Sequence, residues 1–503
     1  MTNPLWDRLF GVHLGRETPF LHLPDGTTLT HDAFLRLSAR FAHTLADAGL
    51  APGDRLALQV EKSPEALAVY AACAAAGVIF LPLNTAYTPA ELDYFIGNSG
   101  AKLFLCDPVK AEALRPVAQA HGTRLETLAA DGTGSFVALA GDRPEHFAPV
   151  PRAEDDLAAF LYTSGTTGRS KGAMLTARNL LSNAEVLTRA WRFTEADVLL
   201  HALPIFHTHG LFVATNVMLL AGGAMIFHPR FDAAAAMRDL PRATAMMGVP
   251  TFYTRLLDSP DFTRETCANM RLFVSGSAPL LAETHRRFEE RTGHRILERY
   301  GMTETNMITS NPCDGERRAG TVGLPLPGVA VRICDAEGRE VPQGETGVIE
   351  VQGPNVFHGY WQMPEKTAEE FRDDGFFITG DLARQDADGY ITIVGRARDL
   401  IISGGFNIYP KELEEAIDAR PGVLESAVIG VPHPDFGETP VALIVPEGAG
   451  PDLAQMEAAL RDALAGFKQP RKLILVDSLP RNTMGKVQKA ALRESYAGLF
   501  ASA

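Results

Sequence analysis

Short apolar segments with the texture of buried strands alternate with longer helix-like segments over the first 110 residues. Segments 55–60, 78–83 and 101–106 are strand-like, and segments 31–49 and 63–76 are helix-like. Alternation of this kind predicts βαβ units, in which parallel strands form a sheet and helices cover its faces. This pattern limits the chain to the α/β class of folds.

The alternation continues after the first unit and then changes character. A region near 130–153, punctuated by Gly, Asp and Pro, predicts a loop, and the alternation resumes from 157 to 309. Between 321 and 393, short strands with frequent Gly, Pro and Asp predict a β-rich subdomain. A chain of 503 residues is too long for one compact core, so we expect at least two domains.

The charged cluster GRARD at 395–399 interrupts the apolar pattern, and strand, helix and strand patterns follow it at 400–403, 410–419 and 426–431. We therefore predict an N-terminal domain of residues 1–397 and a C-terminal domain of residues 398–503. The predicted fold is α/β, with an α+β small domain. A large N-terminal domain of βαβ subdomains and a β-rich subdomain precedes a small C-terminal domain.

Charge and cysteine placement narrow the classes of protein. A formal net charge of −14 argues against nucleic-acid binding, which needs a basic surface. Five scattered cysteines without a CxxC pair argue against a disulfide framework and a zinc site. The nearly uncharged segment 66–83 is mostly alanine, broken by Gly77 and Pro82, which predicts a buried helix and strand and no membrane span. Because no signal peptide is visible, we expect a cytoplasmic protein.

The strongest local signal is the sequence YTSGTTGRSKG at 162–172, which follows the apolar strand 157–161. Hydroxyls, glycine amides and two cations on one loop suit a polyphosphate, because donors surround its oxygens and positive charge offsets their repulsion. The spacing is not that of a Walker A loop, and the chain has no GxGxxG. The alternative is a surface linker.

This loop closely resembles the phosphate loop of the adenylate-forming superfamily, which comprises acyl-CoA synthetases, peptide-synthetase adenylation domains and luciferases. The resemblance extends in order along nearly the whole chain. The other matching segments are 204–207 (PIFH), 275–279 (SGSAP), 300–304 (YGMTE), 379–381 (TGD), 395–399 (GRARD) and 480–486 (PRNTMGK). Each match alone is weak, whereas seven in the family's order are specific.

The resemblance implies that ATP, Mg²⁺ and coenzyme A are bound. The implied phosphate-binding residues are Thr163, Ser164, Gly165, Thr166, Thr167, Gly168 and Lys171. The implied residues around the adenine, ribose and acyl pockets are Ser277, Ala278, Pro279, Tyr300, Gly301, Met302, Thr303, Asp381 and Arg396. Glu304 and Thr166 are the implied Mg²⁺ ligands, in keeping with the preference of this cation for oxygen.

Each of these residues also has a plain structural interpretation. Glu304 is alternatively a solvated helix carboxylate, Tyr300 a core residue, Asp381 a turn aspartate and Arg396 one half of a surface ion pair.

The family chemistry has two steps, in which a carboxylate attacks the α-phosphate of ATP and a thiol then displaces AMP. The implied catalytic residues are Lys486, Glu304, Thr166 and His207. The small domain is mobile in the family, with Arg398 at the hinge, and Ser403, Gly404 and Gly405 would meet coenzyme A. By charge alone Lys489 equals Lys486, and most lysines are simply solvated. The resemblance further suggests a lysine acetyltransferase and deacetylase acting on Lys486.

Arg299 is the residue that bears on the choice of acid. Many relatives have a small or apolar residue just before the motif Tyr, where the acyl tunnel runs, and a cation there needs an anionic partner if it is buried. A second carboxylate on the substrate supplies one, with Ser277 and His207 completing a polar pocket. The combination of ERYGMTET and SGSAPL is typical of malonyl-CoA synthetases, so we expect a small dicarboxylic acid, malonate or methylmalonate. The alternative for Arg299 is an ion pair with Glu298 or Glu304.

Other functions fit the sequence less well. An amino-acid substrate is disfavoured because segments 207–210 and 246–250 contain no acid, and the absence of a following carrier segment favours a free-standing CoA ligase. A serine hydrolase lacks its G-x-S-x-G motif, and His201, His207 and His209 do not have standard zinc spacing. A short-chain monocarboxylate acyl-CoA synthetase and a non-catalytic adenylate-binding relative remain as alternatives.

Overall fold

The computed structural model describes residues 2–163, 170–403, 406–433, 436–464, 466–482 and 485–500. In chain order, the α-helices are α1 Pro4–Leu9, α2 His31–Asp47, α3 Pro64–Ala76, α4 Pro89–Ser99, α5 Ala111–Ala120, α6 Ser135–Ala140, α7 Ala177–Ala190, α8 Asn216–Ala221, α9 Ala233–Asp239, α10 Pro250–Leu257, α11 Ala282–Thr292, α12 Pro364–Glu369, α13 Pro410–Asp418, α14 Leu453–Ala463 and α15 Lys489–Tyr496. A π-helix spans His209–Thr215.

In chain order, the strands are β1 Pro19–His22, β2 Thr28–Thr30, β3 Arg55–Gln59, β4 Ile79–Pro82, β5 Leu103–Cys106, β6 Arg124–Thr127, β7 Leu157–Thr163, β8 Lys171–Thr176, β9 Val198–His201, β10 Ala224–Phe227, β11 Ala245–Gly248, β12 Leu272–Ser275, β13 Leu297–Met302, β14 Asn306–Ser310, β15 Leu324–Pro325, β16 Ala330–Cys334, β17 Gly347–Gln352, β18 Gly359–Tyr360, β19 Phe377–Gln385, β20 Ile391–Arg396, β21 Ile401–Ser403, β22 Phe406–Ile408, β23 Val423–His433, β24 Gly437–Pro446 and β25 Lys472–Leu475.

Two large sheets form most of the N-terminal domain. One has the order β18-β8-β7-β4-β3-β5-β6, and its strands from β7 to β6 are parallel. The other has the order β15-β14-β13-β12-β11-β9-β10-β1-β2, and its strands from β13 to β1 are parallel. The predicted βαβ organisation is therefore confirmed.

Helix α3 shows why the alanine-rich segment folds as it does. Ser63 accepts a hydrogen bond from the Ala66 amide at the N-cap, and Gly77 ends the helix with φ 69°. All of its residues from Ala66 to Ala76 are buried in the core that the two sheets share. The small side chains of α3 allow close packing on every face of the helix. Among the described residues, no helix is long and apolar enough to cross a membrane.

The rest of the fold confirms most of the expected pattern and corrects one element. The β-rich region carries an antiparallel sheet of order β16-β17-β19-β20. The region 130–153, expected as a loop, contains the helix α6, whose Phe136 is buried against Phe41. Periodicity did not indicate this helix because it has only 6 residues.

The C-terminal domain has its own sheet, of order β22-β21-β24-β23 with β25 beside β24, and separate apolar cores on its two faces. Its contacts with the N-terminal domain include the following two. Lys411 Nζ donates to the Ile393 carbonyl at 2.7 Å. Gly485 lies against Thr251 of α10, since a Cβ there would be 3.6 Å from Thr251 Oγ1. The mixed α/β architecture with one large and one small domain matches the predicted fold class.

Candidate active site

The carboxyl ends of β9, β11, β12 and β13 meet at one edge of the larger sheet. In parallel sheets this edge is where ligands bind, because loops and helix starts converge there. The chain leaves these strands into segments 202–209, 249–250, 276–279 and 303–305. Distant parts of the sequence are thus brought together, including 275–279 and 300–304 from the motif analysis.

Arg299 lies in β13 and is only 4% exposed. Its Nε and Nη2 have no hydrogen-bond partner among the described residues. Burial lowers the pKa of Arg299 to about 9, so the guanidinium remains cationic at neutral pH. Its neighbour Gly276 has no room for a side chain, since a Cβ there would overlap the guanidinium. Arg299 is therefore a buried cation, and an anionic ligand would accept hydrogen bonds from its Nε and Nη2.

The two carboxylates considered as alternative partners of Arg299 are engaged elsewhere. Glu298 points to the opposite side of β13, where it lies 3.4 Å from His285 Nδ1 and accepts from the Gly320 amide at 3.2 Å. Glu304 accepts from hydroxyl groups, as described below. The structural alternative for Arg299 is therefore wrong, and strand alternation explains why adjacent residues 298 and 299 have different surroundings.

Two histidines border Arg299. His209 Nδ1 lies 3.2 Å from Ser277 Oγ, and Ser277 has φ 71°, an unusual conformation for a residue other than glycine. Burial, followed by the charges of Lys486 and Arg299, lowers the pKa of His207 to about 4. Burial and then Arg299 hold the pKa of His209 well below its usual range. Both rings are therefore neutral, and Arg299 supplies the charge of this pocket.

Several other polar atoms near Arg299 are also unsatisfied. In the part of the chain that the structure describes, no partner is found for the buried atoms Thr208 Oγ1, His209 Nε2, Ser275 Oγ, Arg299 Nε and Arg299 Nη2. Buried polar atoms without partners are costly, and such a group beside a cation suits a compact anion. We call Arg299, His207, Thr208, His209, Ser275 and Ser277 the acid pocket.

Lys486 belongs to the C-terminal domain and acts electrostatically on the acid pocket. Its charge contributes to the lowered pKa of His207, and the neighbouring Gly485 packs against Thr251. Lys489, which equals Lys486 in charge, has its Nζ 2.6 Å from Glu414 within the C-terminal domain. A second ion pair, Arg481–Glu425, holds the other end of the same loop. Of the two lysines, Lys486 is the one whose charge lowers the pKa of His207, and its catalytic role stays a prediction.

A second cluster of charged and polar residues comes from β7, β8, β18 and the segments after β13 and α12, and its members contact one another. Tyr360 OH donates to Glu370 Oε2 at 2.6 Å and lies 3.2 Å from Glu304 Oε1. Glu304 Oε1 also accepts a hydrogen bond from Thr163 Oγ1 at 3.2 Å. Lys171 Nζ is 2.7 Å from Glu370 and 4.0 Å from the centre of the Tyr360 ring. Burial raises the pKa of Glu304. We call these five residues the paired cluster.

Asp381 is held by two of the predicted nucleotide-binding residues. Tyr300 OH donates to Asp381 Oδ2 at 2.6 Å, and Arg396 Nε lies 3.2 Å from Oδ1. This trio joins β13 to β19 and β20, so the YGMTE, TGD and GRARD motifs meet in space. The alternatives of a turn aspartate and a solvated Glu304 are wrong, since both side chains are buried.

The remaining predicted residues are only partly covered. Ser164, Gly165, Thr166, Thr167, Gly168, Gly404 and Gly405 lie outside the described residues, as does the side chain of Arg398. Ala278 and Pro279 follow Ser277 after β12, Gly301 and Met302 end β13, and Thr303 lies in the turn before β14. Ser403 is buried at the end of β21. Their ligand contacts stay predictions.

Sequence reasoning missed Tyr360, Glu370, Gly276 and Lys62. The first two carry no local signal, because their contacts with Glu304 and Lys171 span 56 and 199 residues. Gly276 lies in the SGSAP segment, but its close approach to the Arg299 guanidinium is visible only in the fold. His201, weighed as a zinc ligand, has its Nδ1 2.8 Å from Lys62 Nζ and its Nε2 2.8 Å from the Gly210 carbonyl.

The chain is similar to known proteins over most of its length. Residues 13–361 match the family model described as AMP-binding enzyme, and residues 412–486 match its C-terminal domain. A feruloyl-CoA synthase of Amycolatopsis sp is 37% identical over 94% of this chain and 94% of its own. A malonate–CoA ligase of Arabidopsis thaliana is 36% identical over 89% of this chain and 79% of its own. The chain is almost equally identical to ligases of two unlike acids, so these two relatives do not identify its substrate. The substrate has to be inferred from the acid pocket.

Among solved structures, ATP-bound MatB from Rhodopseudomonas palustris superposes with a TM-score of 0.97 at 56% identity, covering 99% of this chain and 100% of that one. The apo form of the same protein superposes less well, with a TM-score of 0.86. This chain is therefore more similar in overall arrangement to the ATP-bound form than to the apo form.

Proposed function

The chain belongs to the family of AMP-binding enzymes, and we propose that it joins malonate to coenzyme A, consuming ATP through a malonyl-adenylate. The observation that carries the proposal is Arg299, a buried cation whose Nε and Nη2 lack a partner among the described residues. The malonate–CoA ligases among the relatives support the same assignment. Methylmalonate differs by one methyl group, a small difference for a pocket to reject.

Malonate has two carboxylates, and the site offers a place for each. One carboxylate pairs with Arg299 and accepts hydrogen bonds from Ser277 and the neutral histidines of the acid pocket. The other then faces Lys486, which reaches the pocket from the C-terminal domain.

In the first step, an oxygen of the free carboxylate attacks the α-phosphorus of ATP, and the bond to the β-phosphate oxygen breaks to release pyrophosphate. Two anions approach each other in this step, so positioning and neutralisation of charge supply most of the catalysis. Lys486 provides positive charge between the carboxylate and the phosphate. Tyr300, Asp381 and Arg396, which contact one another, bind the nucleoside.

Glu304 and Thr166 would hold Mg²⁺, with ATP oxygens and water completing the coordination. The surroundings of Glu304 fit such an ion, since its buried carboxylate lies among hydroxyl groups and a cation beside it would favour the charged form. When bound, the ion supplies neutralisation of phosphate charge.

In the second step, the thiol of coenzyme A attacks the adenylate carbonyl, AMP leaves, and the thiol proton passes to solvent. We assign this step to a second arrangement of the domains, with the boundary between 397 and 398 and Arg398 as the hinge. Ser403, Gly404 and Gly405 then border the thiol. The higher similarity to ATP-bound MatB supports assigning the present arrangement to the first step.

Acetylation of Lys486 would remove its charge and stop the first step. Lys486 is exposed, so a cytoplasmic acetyltransferase and a deacetylase have access to it. Quantitative acetylation should abolish pyrophosphate release from ATP, whereas an enzyme that keeps full activity after acetylation would contradict this assignment.

A ligation screen tests the proposed function. The purified enzyme is supplied with ATP, Mg²⁺ and coenzyme A, and with acetate, malonate, methylmalonate, succinate or octanoate in turn. Malonyl-CoA, AMP and pyrophosphate in equal amounts are expected, with acetate turned over far more slowly. Preferred turnover of acetate or octanoate would refute the dicarboxylate assignment, and ADP with phosphate as products would refute the adenylate.

A further inference from the structure

Lys62 is a buried basic residue that lies outside the acid pocket and is 7% exposed. It lies between β3 and α3, whereas its contacts lie at the carboxyl ends of β9 and β10 in the other large sheet. Its Nζ is 2.8 Å from His201 Nδ1, 2.8 Å from the His201 carbonyl and 4.1 Å from the centre of the Phe227 ring. No ion pair of the described chain includes Lys62, and burial holds its pKa well below the usual range.

The directions of these hydrogen bonds follow from their partners. His201 Nε2 lies 2.8 Å from the Gly210 carbonyl, which can only accept, so Nε2 carries the hydrogen. Burial and the charge of Lys62 hold the pKa of His201 well below its usual range, so the ring is neutral and Nδ1 has a free lone pair. Lys62 therefore donates to Nδ1, and this donation selects the tautomer that donates to Gly210.

Gly210 lies in the first turn of the π-helix that begins at His209. Its carbonyl accepts a second hydrogen bond from Thr215 Oγ1 at 2.9 Å. A Cβ at Gly210 would overlap the Pro204 carbonyl oxygen, so the segment from 204 to 210 is tightly confined. This segment carries His207, Thr208 and His209, and π-helical turns are common where backbone geometry serves a site.

We propose that Lys62 is a positioning residue for the acid substrate, acting through His201 and Gly210 on the segment that presents Thr208 and His209 to Arg299. The proposal rests on the proposed function, because the acid it positions is malonate. An apolar residue at 62 would avoid the cost of burying an amine, but it would leave His201 Nδ1 and the His201 carbonyl without a donor.

The test replaces Lys62 with Met, which keeps the length of the side chain and removes its donors. For Lys62→Met we expect KM for malonate to rise about tenfold, as loss of a buried hydrogen bond commonly produces. KM for ATP should stay within about twofold, because the paired cluster and Asp381 have no contact with Lys62. A general loss of structure would change both constants together.

Gln59→Met is the matched control. Gln59 is buried three residues earlier, and its Nε2 donates to the Asn84 and Tyr87 carbonyls at 2.9 and 3.0 Å. Like Lys62→Met, this variant loses two hydrogen bonds, here both to main-chain carbonyls, but none of them leads to Gly210. We expect lower thermal stability and an unchanged KM for malonate.

Thr215→Val tests the same inference by a second change. It removes the hydroxyl that donates to the Gly210 carbonyl and alters the shape of the side chain little. It should also raise KM for malonate selectively, and combining it with Lys62→Met should give less than the product of the two effects. If Lys62→Met fails to fold, Thr215→Val decides the matter. A wild-type KM for malonate in the folded variants would overturn this inference, whereas a wild-type enzyme that does not use malonate would overturn the proposed function.

Discussion

In the paired cluster, the Lys171 ammonium lies 2.7 Å from Glu370, and Tyr360 links that carboxylate to Glu304. In the acid pocket, by contrast, the described residues offer Arg299 Nε and Nη2 no partner. One region satisfies its charges within the protein, and the other leaves a cation for the ligand to satisfy. The comparison teaches that unsatisfied buried charge indicates the substrate more directly than a motif that is already internally paired.

Arg299→Ala should have the largest effect on malonate use, because it removes the cation that distinguishes the acid pocket from the paired cluster. We expect kcat/KM for malonate to fall about 30- to 5,000-fold, the usual cost of removing one partner of a buried charge pair. KM for ATP should change little, and longer monocarboxylates gain room. Steady-state kinetics with malonate, acetate and butyrate measure these effects.

Arg271→Ala is the control for Arg299→Ala. Arg271 lies just before β12, at the opposite edge of the same sheet, and its Nε is 2.7 Å from Asp197. It should lower stability without changing the preference among acids. Malonate turnover within a few-fold of wild type in Arg299→Ala would show that the acid binds elsewhere.

Lys486→Ala removes the cation that the C-terminal domain adds to the acid pocket. Pyrophosphate release should slow at least about 100-fold, in line with loss of one preorganised charge contact. Thioester formation from pre-made malonyl-adenylate should be much less affected, since that step uses the other domain arrangement. Lys489→Ala, which breaks the ion pair with Glu414, is the control. Equal loss of both steps in Lys486→Ala would argue against domain alternation.

Lys171→Met tests the paired cluster, where ATP rather than malonate should respond. Loss of the ammonium leaves Glu370 without its 2.7 Å partner and removes a cation near the phosphate loop. We expect KM for ATP to rise about tenfold, as for other charged hydrogen bonds, with KM for malonate within about twofold. Kinetics with each substrate varied in turn check this, and a rise confined to malonate would reverse our assignment of the two regions.

The smallest expected effect is on the pH dependence of stability, and it comes from the lowered pKa of His207. In the folded protein it is lowered to about 4 from its ordinary 6.5, so the unfolded chain binds more protons between these values. Its contribution to stability is full above about pH 6.5 and is lost as the pH falls toward 4. Other buried histidines contribute equally to wild type and His207→Gln, so the difference reports His207.

Thermal unfolding of the two proteins at pH 7.5 and pH 5.0 should show wild type losing more stability than His207→Gln, by about 2 °C in Tm. Equal losses would mean that His207 is not held neutral by its surroundings.

Sequence alone predicted the order of strands and helices through the parallel units, because burial on both faces leaves local apolar runs that can be read without the fold. It missed α6, which is too short for its periodicity to appear. The motifs also gave Arg299, Lys486, Asp381 and Glu304 as candidates, since each lies in a short segment of distinctive composition.

The tertiary structure decided which of these charges are already satisfied. Glu298 and Arg299 are adjacent in sequence, yet strand alternation places Glu298 beside His285 and leaves Arg299 Nε and Nη2 without an acceptor among the described residues. Lys489 and Lys486 differ by three positions, and only the fold pairs Lys489 with Glu414. Lys62 and His201 are 139 residues apart. Composition and local pattern determine the elements, but the partner of a buried charge depends on long-range packing, which one-dimensional order does not record.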